Sequence, residues 1–255
     1  MWVNLGVSRE TELMHAKDVF SQQVRAWGFS DAENLLTGLE PYIELLSSYD
    51  KANVVGTRNP TELLLNHVLD SLSCFLFRPL WQANSLVDVG SGAGLPGIPI
   101  KIASPSLSTT LVESTGKKAR FLQLAVKHLG LHHTLVQDQR VEKVAFQPDQ
   151  RSNNDIATVR AVSSLPVVAE YCLPLVRESG HVIAMKGAIS NDELNNGGRA
   201  ASQLGGRIMQ VIEVSMHPEA RVRDRNLVIL QKIQPTPEKY PRREGTPTRR
   251  PLGSY

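Results

Sequence analysis

The sequence predicts an α/β protein built on a doubly wound, mostly parallel sheet, and three observations carry that prediction. From Ser85 onward, short apolar runs of strand length alternate regularly with helical patterns. The first run, Leu86-Val87-Asp88-Val89, breaks at Gly90, Gly92 and Gly94 and then resumes as an apolar segment, which reads as strand, tight turn and helix start. Two final strand-like runs, 207–214 and 226–233, have no helix between them and predict an antiparallel pair closing the sheet.

Ahead of the sheet lies a helical layer, residues 1–80. Leu13, Ala16, Val19, Phe20 and Val24 recur at helical spacing over 9–27, with Gly28 as the stop. A second pattern runs over 31–48 and is interrupted or kinked at Pro41. The third is the best specified: Asn59 is placed to cap, Pro60 takes the first helical position and Glu62 completes a capping box before LLLNHVLDSLSCFLF. On this helix Leu65, Val68, Leu69, Leu72, Phe75 and Leu76 form a core stripe. His67, Asp70, Ser71 and Cys74 line a neighbouring face. His67 and Asp70 are therefore catalytic candidates. The plainer reading is that they hydrogen-bond to each other and fix the helix onto the domain below.

The core, 81–234, follows in order. A strand over 109–113 ends at Glu113, and a helix with a basic first turn (Lys117, Lys118, Arg120) runs toward Gly130. Next come a strand at 134–137 leading into 138–142, a polar loop at 148–154, and a strand at 156–159 closed by Arg160. A helix over 164–176, a strand over 180–185 ending at Lys186 and a helix over 191–204 complete the alternation. Ligands of such sheets sit beyond the carboxyl ends of the strands, which collects Gly90, Glu113, Val141, Glu142, Arg160 and Lys186 on one rim.

The glycine turn is the expected ligand cradle. Glycines permit positive φ and close backbone approach, and the following helix start is expected to point unpaired N–H groups at the ligand. Residues 92–97 satisfy G-x-G-x-x-G and Glu113 stands where a ribose-binding acid belongs, so a dinucleotide reading is open. The strand ends Asp88-Val89-Gly90, however, and the D-x-G-x-G-x-G register is the one used for S-adenosylmethionine. A glycine-rich turn with no ligand is the bland alternative.

Composition excludes several classes. With 255 residues, 41% hydrophobic and 21% charged, the chain has the make-up of an ordinary globular protein. The N-terminus has no apolar leader, and no apolar run approaches the roughly 18 residues of a membrane span, so a cytoplasmic protein with no membrane partner is expected. Cys74 and Cys172 lack zinc-site spacing, and no metal is expected. Residues 235–255 hold five basic residues against two acids, which equals the net charge of +3 for the whole chain. This basic, Pro-rich tail is expected to be extended and to follow a phosphate backbone, although a tail packed on the body through Tyr240 and Leu252 is the competing view. All three parts are expected to make one structural domain.

Segments along nearly the whole chain resemble one family. They are RNPTELLLNHVLDSL at 58–72, VDVGSGAGLPGIPI at 87–100, LVESTGKKARFL at 111–122, RVE at 140–142, VRAVSSL at 159–165, AMKG at 184–187, RNLVIL at 225–230 and KYPRREGTPTRRPL at 239–252. The chain resembles the RsmG family, also called glucose-inhibited division protein B. Where that family often reads N-L-T, this chain has Asn53-Val54-Val55. The resemblance implies a class I methyltransferase (Rossmann-like) fold that uses S-adenosylmethionine to methylate N7 of one guanine in the decoding-region RNA of the small ribosomal subunit (16S). It places cofactor contacts at Gly90, Leu95, Val141, Glu142 and Arg160. The residue-level reading adds Gly92 and Glu113. Lys117, Lys118, Arg225, Arg242 and Arg243 are candidates for holding the RNA or an assembly intermediate, with Arg221 and Arg223 continuing the track. Two other classes remain: a small-molecule methyltransferase or NAD-dependent dehydrogenase on the same kind of sheet, and a non-catalytic ribosome-binding module.

Overall fold

The computed structural model describes residues 9–220 and 224–253. Two helices open the described residues, α1 (Arg9–Trp27) and α2 (Ala32–Ser48), the second capped by Asp31, whose side chain accepts the Asn34 N–H. The third segment, α3 (residues 60–76), is not one uniform helix. It begins as α-helix at Pro60–Glu62, widens to a π-helix over Leu63–Val68, returns to α over Leu69–Leu72 and tightens to a 3₁₀ turn over Ser73–Leu76. Asn59 caps it by accepting from the Thr61 and Glu62 N–H groups, but the reciprocal half of the capping box is not made. Glu62 instead accepts the Thr57 hydroxyl at 2.6 Å.

The body then alternates: β1 (Ser85–Val89), α4 (Gly97–Ala103), β2 (Ser108–Val112), α5 (Gly116–His128), β3 (Thr134–Gln137), α6 (Val141–Val144), β4 (Asn154–Arg160), α7 (Leu165–Cys172), β5 (Val176–Lys186), α8 (Asn191–Gln203), β6 (Gly206–Glu213) and β7 (Asn226–Lys232). A last turn of helix, α9 (Thr246–Arg249), lies in the C-terminal segment. The seven strands are ordered β3-β2-β1-β4-β5-β7-β6, with β7 antiparallel to both its neighbours. The expected helix over 164–176 stops at Cys172. Pro174 cannot continue it, and Val176 already belongs to β5.

Strand alternation sorts side chains into two cores. Leu86, Leu111, Ile156, Ile183 and Ile229 point to one face, packing with α1–α5. Val87, Val112, Ala157, Val182 and Val228 point to the other, beneath α6–α8. The strand order reverses between β1 and β4, so a crevice opens beyond their carboxyl ends. Register levels that rim: Val89 lies beside both Val112 and Val159, so the chain leaves these strands together at Gly90, Glu113 and Arg160.

The C-terminal segment departs from the extended arm. Tyr240 and Pro247 are buried, and Leu252 packs on the second core. The Arg151 guanidinium donates to the Tyr240, Thr236 and Pro237 carbonyls. Arg242 is clamped by Glu170, which is fully buried, with Nη2 to Oε2 at 2.6 Å. A buried carboxylate requires a counter-charge, and this arginine from the tail supplies it.

Candidate active site

Gly90, Glu113, Val141 and Glu142 meet around one cleft with Val89, Arg140, Val162 and Tyr171. Gly90 has φ +69°, and a Cβ there would stand 2.7 Å from Val162 Cγ2, so this side chain fills the space above the turn. The cleft measures about 80 Å³. Val162 is exposed and follows Ala161, a non-glycine residue at φ +56°, a conformation uncommon for a residue with a Cβ. A molecule lying against Gly90 therefore requires Val162 to turn away.

Glu113 is built into the cradle. The residue is 7% exposed, and its carboxylate accepts the N–H groups of Gly92 at 2.9 Å and Thr115 at 2.7 Å. Each oxygen keeps a second lone pair, so two hydroxyls can still be accepted. Asp88, fully buried, braces the turn from below: it accepts the Gly97 N–H at 3.2 Å and the Thr158 hydroxyl at 2.8 Å. Burial pushes its carboxyl up to about 6, against the opposing pull of those hydrogen bonds and of Arg160. Tyr42 of α2 donates to the Ala93 carbonyl at 2.7 Å, tying the helical layer to the same turn.

These bonds overturn one expectation. The start of α4 does not present unpaired N–H groups: Gly97 is held by Asp88, Ile98 donates to the Gly94 carbonyl, Pro99 has no N–H and Ile100 donates to the Pro96 carbonyl. A dinucleotide needs that helix end for its pyrophosphate. An adenosyl cofactor, with a ribose diol and no phosphate, needs only a carboxylate such as Glu113 and close backbone approach. The donor set fits the second group and not the first.

The other half of the rim is ionic. Asp70, fully buried, accepts Arg225 Nε at 2.6 Å and Nη2 at 2.9 Å, and Arg160 Nη1 at 3.1 Å. The expected His67–Asp70 bond does not form, because the Asp70 carboxylate is taken by Arg160 and Arg225. The π-turn over 63–68 changes the helical spacing on which the His67–Asp70 pairing relied. Burial, and after it Arg160, holds His67 below its ordinary range, so its imidazole is neutral near pH 7. Arg225, with two bonds to Asp70, is its main clamp.

The remaining candidates are dispersed. Gly92 is half-buried in the turn, while the Leu95 side chain is buried in the first core. Lys186 donates to the Ser163 carbonyl at 2.9 Å and pairs with Glu193 at 2.8 Å. Lys117 is exposed and Lys118 half-buried at the start of α5, and Arg243 is exposed on the C-terminal segment. Arg221 and Arg223 lie outside the described residues. Sequence reasoning missed Val162 and Tyr171. A signal for Val162 was present, since it follows the Arg-Ala that ends a strand, whereas Tyr171 sits in an apolar helical run that reads as core. Among the described residues no cluster suits a metal ion, and no helix is long and apolar enough to cross a membrane.

Known proteins share the fold and much of the sequence. A mutant of MtNAS in complex with S-adenosylmethionine shares the fold with a TM-score of 0.51 at 12% identity, over 91% of this chain and 86% of that one. The Rubrobacter xylanophilus ribosomal RNA small subunit methyltransferase G is 50% identical over 93% of this chain and 91% of its own length. The Bacillus subtilis protein of that name is 36% identical over 91% and 97%. The family model for rRNA small subunit methyltransferase G matches residues 36–227, a span that begins in α2, carries Asp70, the glycine turn and Arg160, and ends in β7. With that span and those identities, this chain belongs to the rRNA small subunit methyltransferase G family.

Proposed function

We propose that this chain transfers a methyl group from S-adenosylmethionine to N7 of a guanine in small-subunit (16S) ribosomal RNA, in the cytoplasm. The observation that carries the reading is the cradle itself: a backbone-held Glu113 beside a glycine turn whose following helix has no N–H left for a phosphate. Gly90, Gly92, Leu95, Glu113, Val141, Glu142 and Arg160 would hold the cofactor, with Glu113 on the ribose hydroxyls. When bound, the cofactor supplies an electrophilic methyl on a sulfonium.

Guanine N7 offers an in-plane lone pair and carries no proton, so the chain needs no general base. The rim agrees with that demand. Asp70 is saturated by two guanidinium groups and is not free to take a proton from the base. With two arginines against one carboxylate the cluster is net positive, which suits a phosphate or the guanine O6 edge and not a developing cation. Asp70 is therefore a positioning residue in this reading, and the work of the site is orientation and exclusion of water. The helical layer, core and C-terminal segment act as one domain, an assignment supported by the Tyr42–Ala93, Asp70–Arg225 and Glu170–Arg242 bonds.

Labelled methyl transfer to small ribosomal subunits, with the modified base mapped, tests the reading. Methyl-guanine in the small-subunit RNA is the expected result. Calorimetry should give binding of S-adenosylmethionine and none of NAD. The reverse pattern would return the chain to the dehydrogenases, and cofactor binding without transfer would make it a passive ribosome binder.

A further inference from the structure

A second, larger pocket lies behind the cofactor cleft, between α6 and the C-terminal segment. It has a volume of about 740 Å³, within the roughly 300–1,000 Å³ usual for small-molecule sites, and Glu142 is a wall of both cavities. Phe146 lies in its lining with half its surface exposed (51%). The Arg151 guanidinium sits 5.4 Å from the centre of the Phe146 ring, which covers one face and holds the ring in place. Charges around the pocket are unevenly satisfied. Lys143 pairs with Glu244 at 3.0 Å and Arg242 with Glu170, whereas Arg243 and Arg249 are exposed and form no ion pair among the described residues. Arg249 is steadied by its Nε bond to the Gly245 carbonyl at 3.2 Å.

We propose that this pocket takes one nucleotide of single-stranded RNA outside the target guanine, its base against Phe146 and its phosphate between Arg243 and Arg249. An exposed, braced aromatic beside two guanidinium groups that form no ion pair among the described residues is the pairing that single strands require, since every base has a π-face and every linkage a negative charge. The shared Glu142 wall sets this nucleotide close to the cofactor end of the cleft, so binding here orients the strand that carries the target. The proposal rests on the RNA-methyltransferase reading and adds a subsite to it.

The test uses the full chain and a short fluorescein-labelled single-stranded RNA, titrated by anisotropy at several salt concentrations. Replacing both Arg243→Ala and Arg249→Ala should flatten log affinity against log salt by about 1.4, from two phosphate contacts at about 0.7 each. Phe146→Ala should weaken binding about tenfold with the slope unchanged, and Phe146→Trp should restore it. S-adenosylmethionine affinity by calorimetry should stay as in the parent chain. RNA affinity and slope unchanged in both variants, while methyl transfer to small subunits persists, overturns the pocket and leaves the RNA-methyltransferase reading standing. A parent chain that neither binds this RNA nor methylates subunits removes both. Weakened binding to whole subunits with unchanged RNA affinity gives the surface to a ribosomal protein and likewise overturns the proposal.

Discussion

The backbone bonds to the carboxylates of the cradle around Gly90 join groups close together in the chain: Gly92 and Glu113 are 21 residues apart, and Gly97 is 9 from Asp88. Thr158 and Tyr42 add bonds from 70 and 51 residues away. The Asp70 cluster on the same rim joins residues 90 and 155 apart. In the cradle, carboxylates are bound mainly by backbone N–H groups and a hydroxyl. In the cluster, one buried carboxylate is bound by two guanidinium groups from the ends of β4 and β7. The first arrangement shapes a surface for a ligand, while the second ties α3 to two strands and fixes how the arginines point. Neighbouring acids in one rim thus have different jobs, and the type of donor, backbone or arginine, tells them apart.

The largest expected effect breaks the ionic side. Asp70→Ala leaves two guanidinium groups mostly shielded from water and without their shared counter-charge, and should cost about 3–5 kcal/mol of stability. Urea unfolding measures it. A loss below about 1 kcal/mol would mean that the cluster does not hold the helical layer to the sheet.

Glu113→Ala tests the other side. Cofactor affinity should fall by about 1.5–3 kcal/mol, the value of hydrogen bonds to a charged group, with only a small drop in melting temperature. If stability falls while S-adenosylmethionine binds as before, Glu113 is a structural brace like Asp88 and the contrast between the two regions dissolves.

The smallest effect sharpens the comparison through pH. His67 is held below its ordinary value of 6.5 in the folded chain. Between its folded and unfolded pKa values the unfolded state binds more protons, so stability rises with pH across that window and is lost as pH falls below about 6.5. His67→Gln should remove this part of the acid-side decline. Identical pH profiles for the two proteins would show that His67 sees solvent and not the Arg160 charge.

Much of this molecule was decided within short stretches of chain. Alternating apolar residues set each strand's two faces, Asn59-Pro60 set the start of α3, and the glycines after Val89 set a turn with positive φ, because these choices depend on sterics and periodicity among near neighbours. Even the end of α7 was written locally, in Pro174. The partners of the charges were not. Asp70 resembled a mate for His67, Arg225 part of an RNA track and Arg242 the root of a free arm, since an isolated charge in a sequence carries no sign of whether it will be buried. Only the tertiary structure, by burying Asp70 and Glu170, created the need for counter-charges that drew Arg160, Arg225 and Arg242 inward. Charge pairing is settled by distance in space and by exclusion of water, and neither exists until the chain has packed.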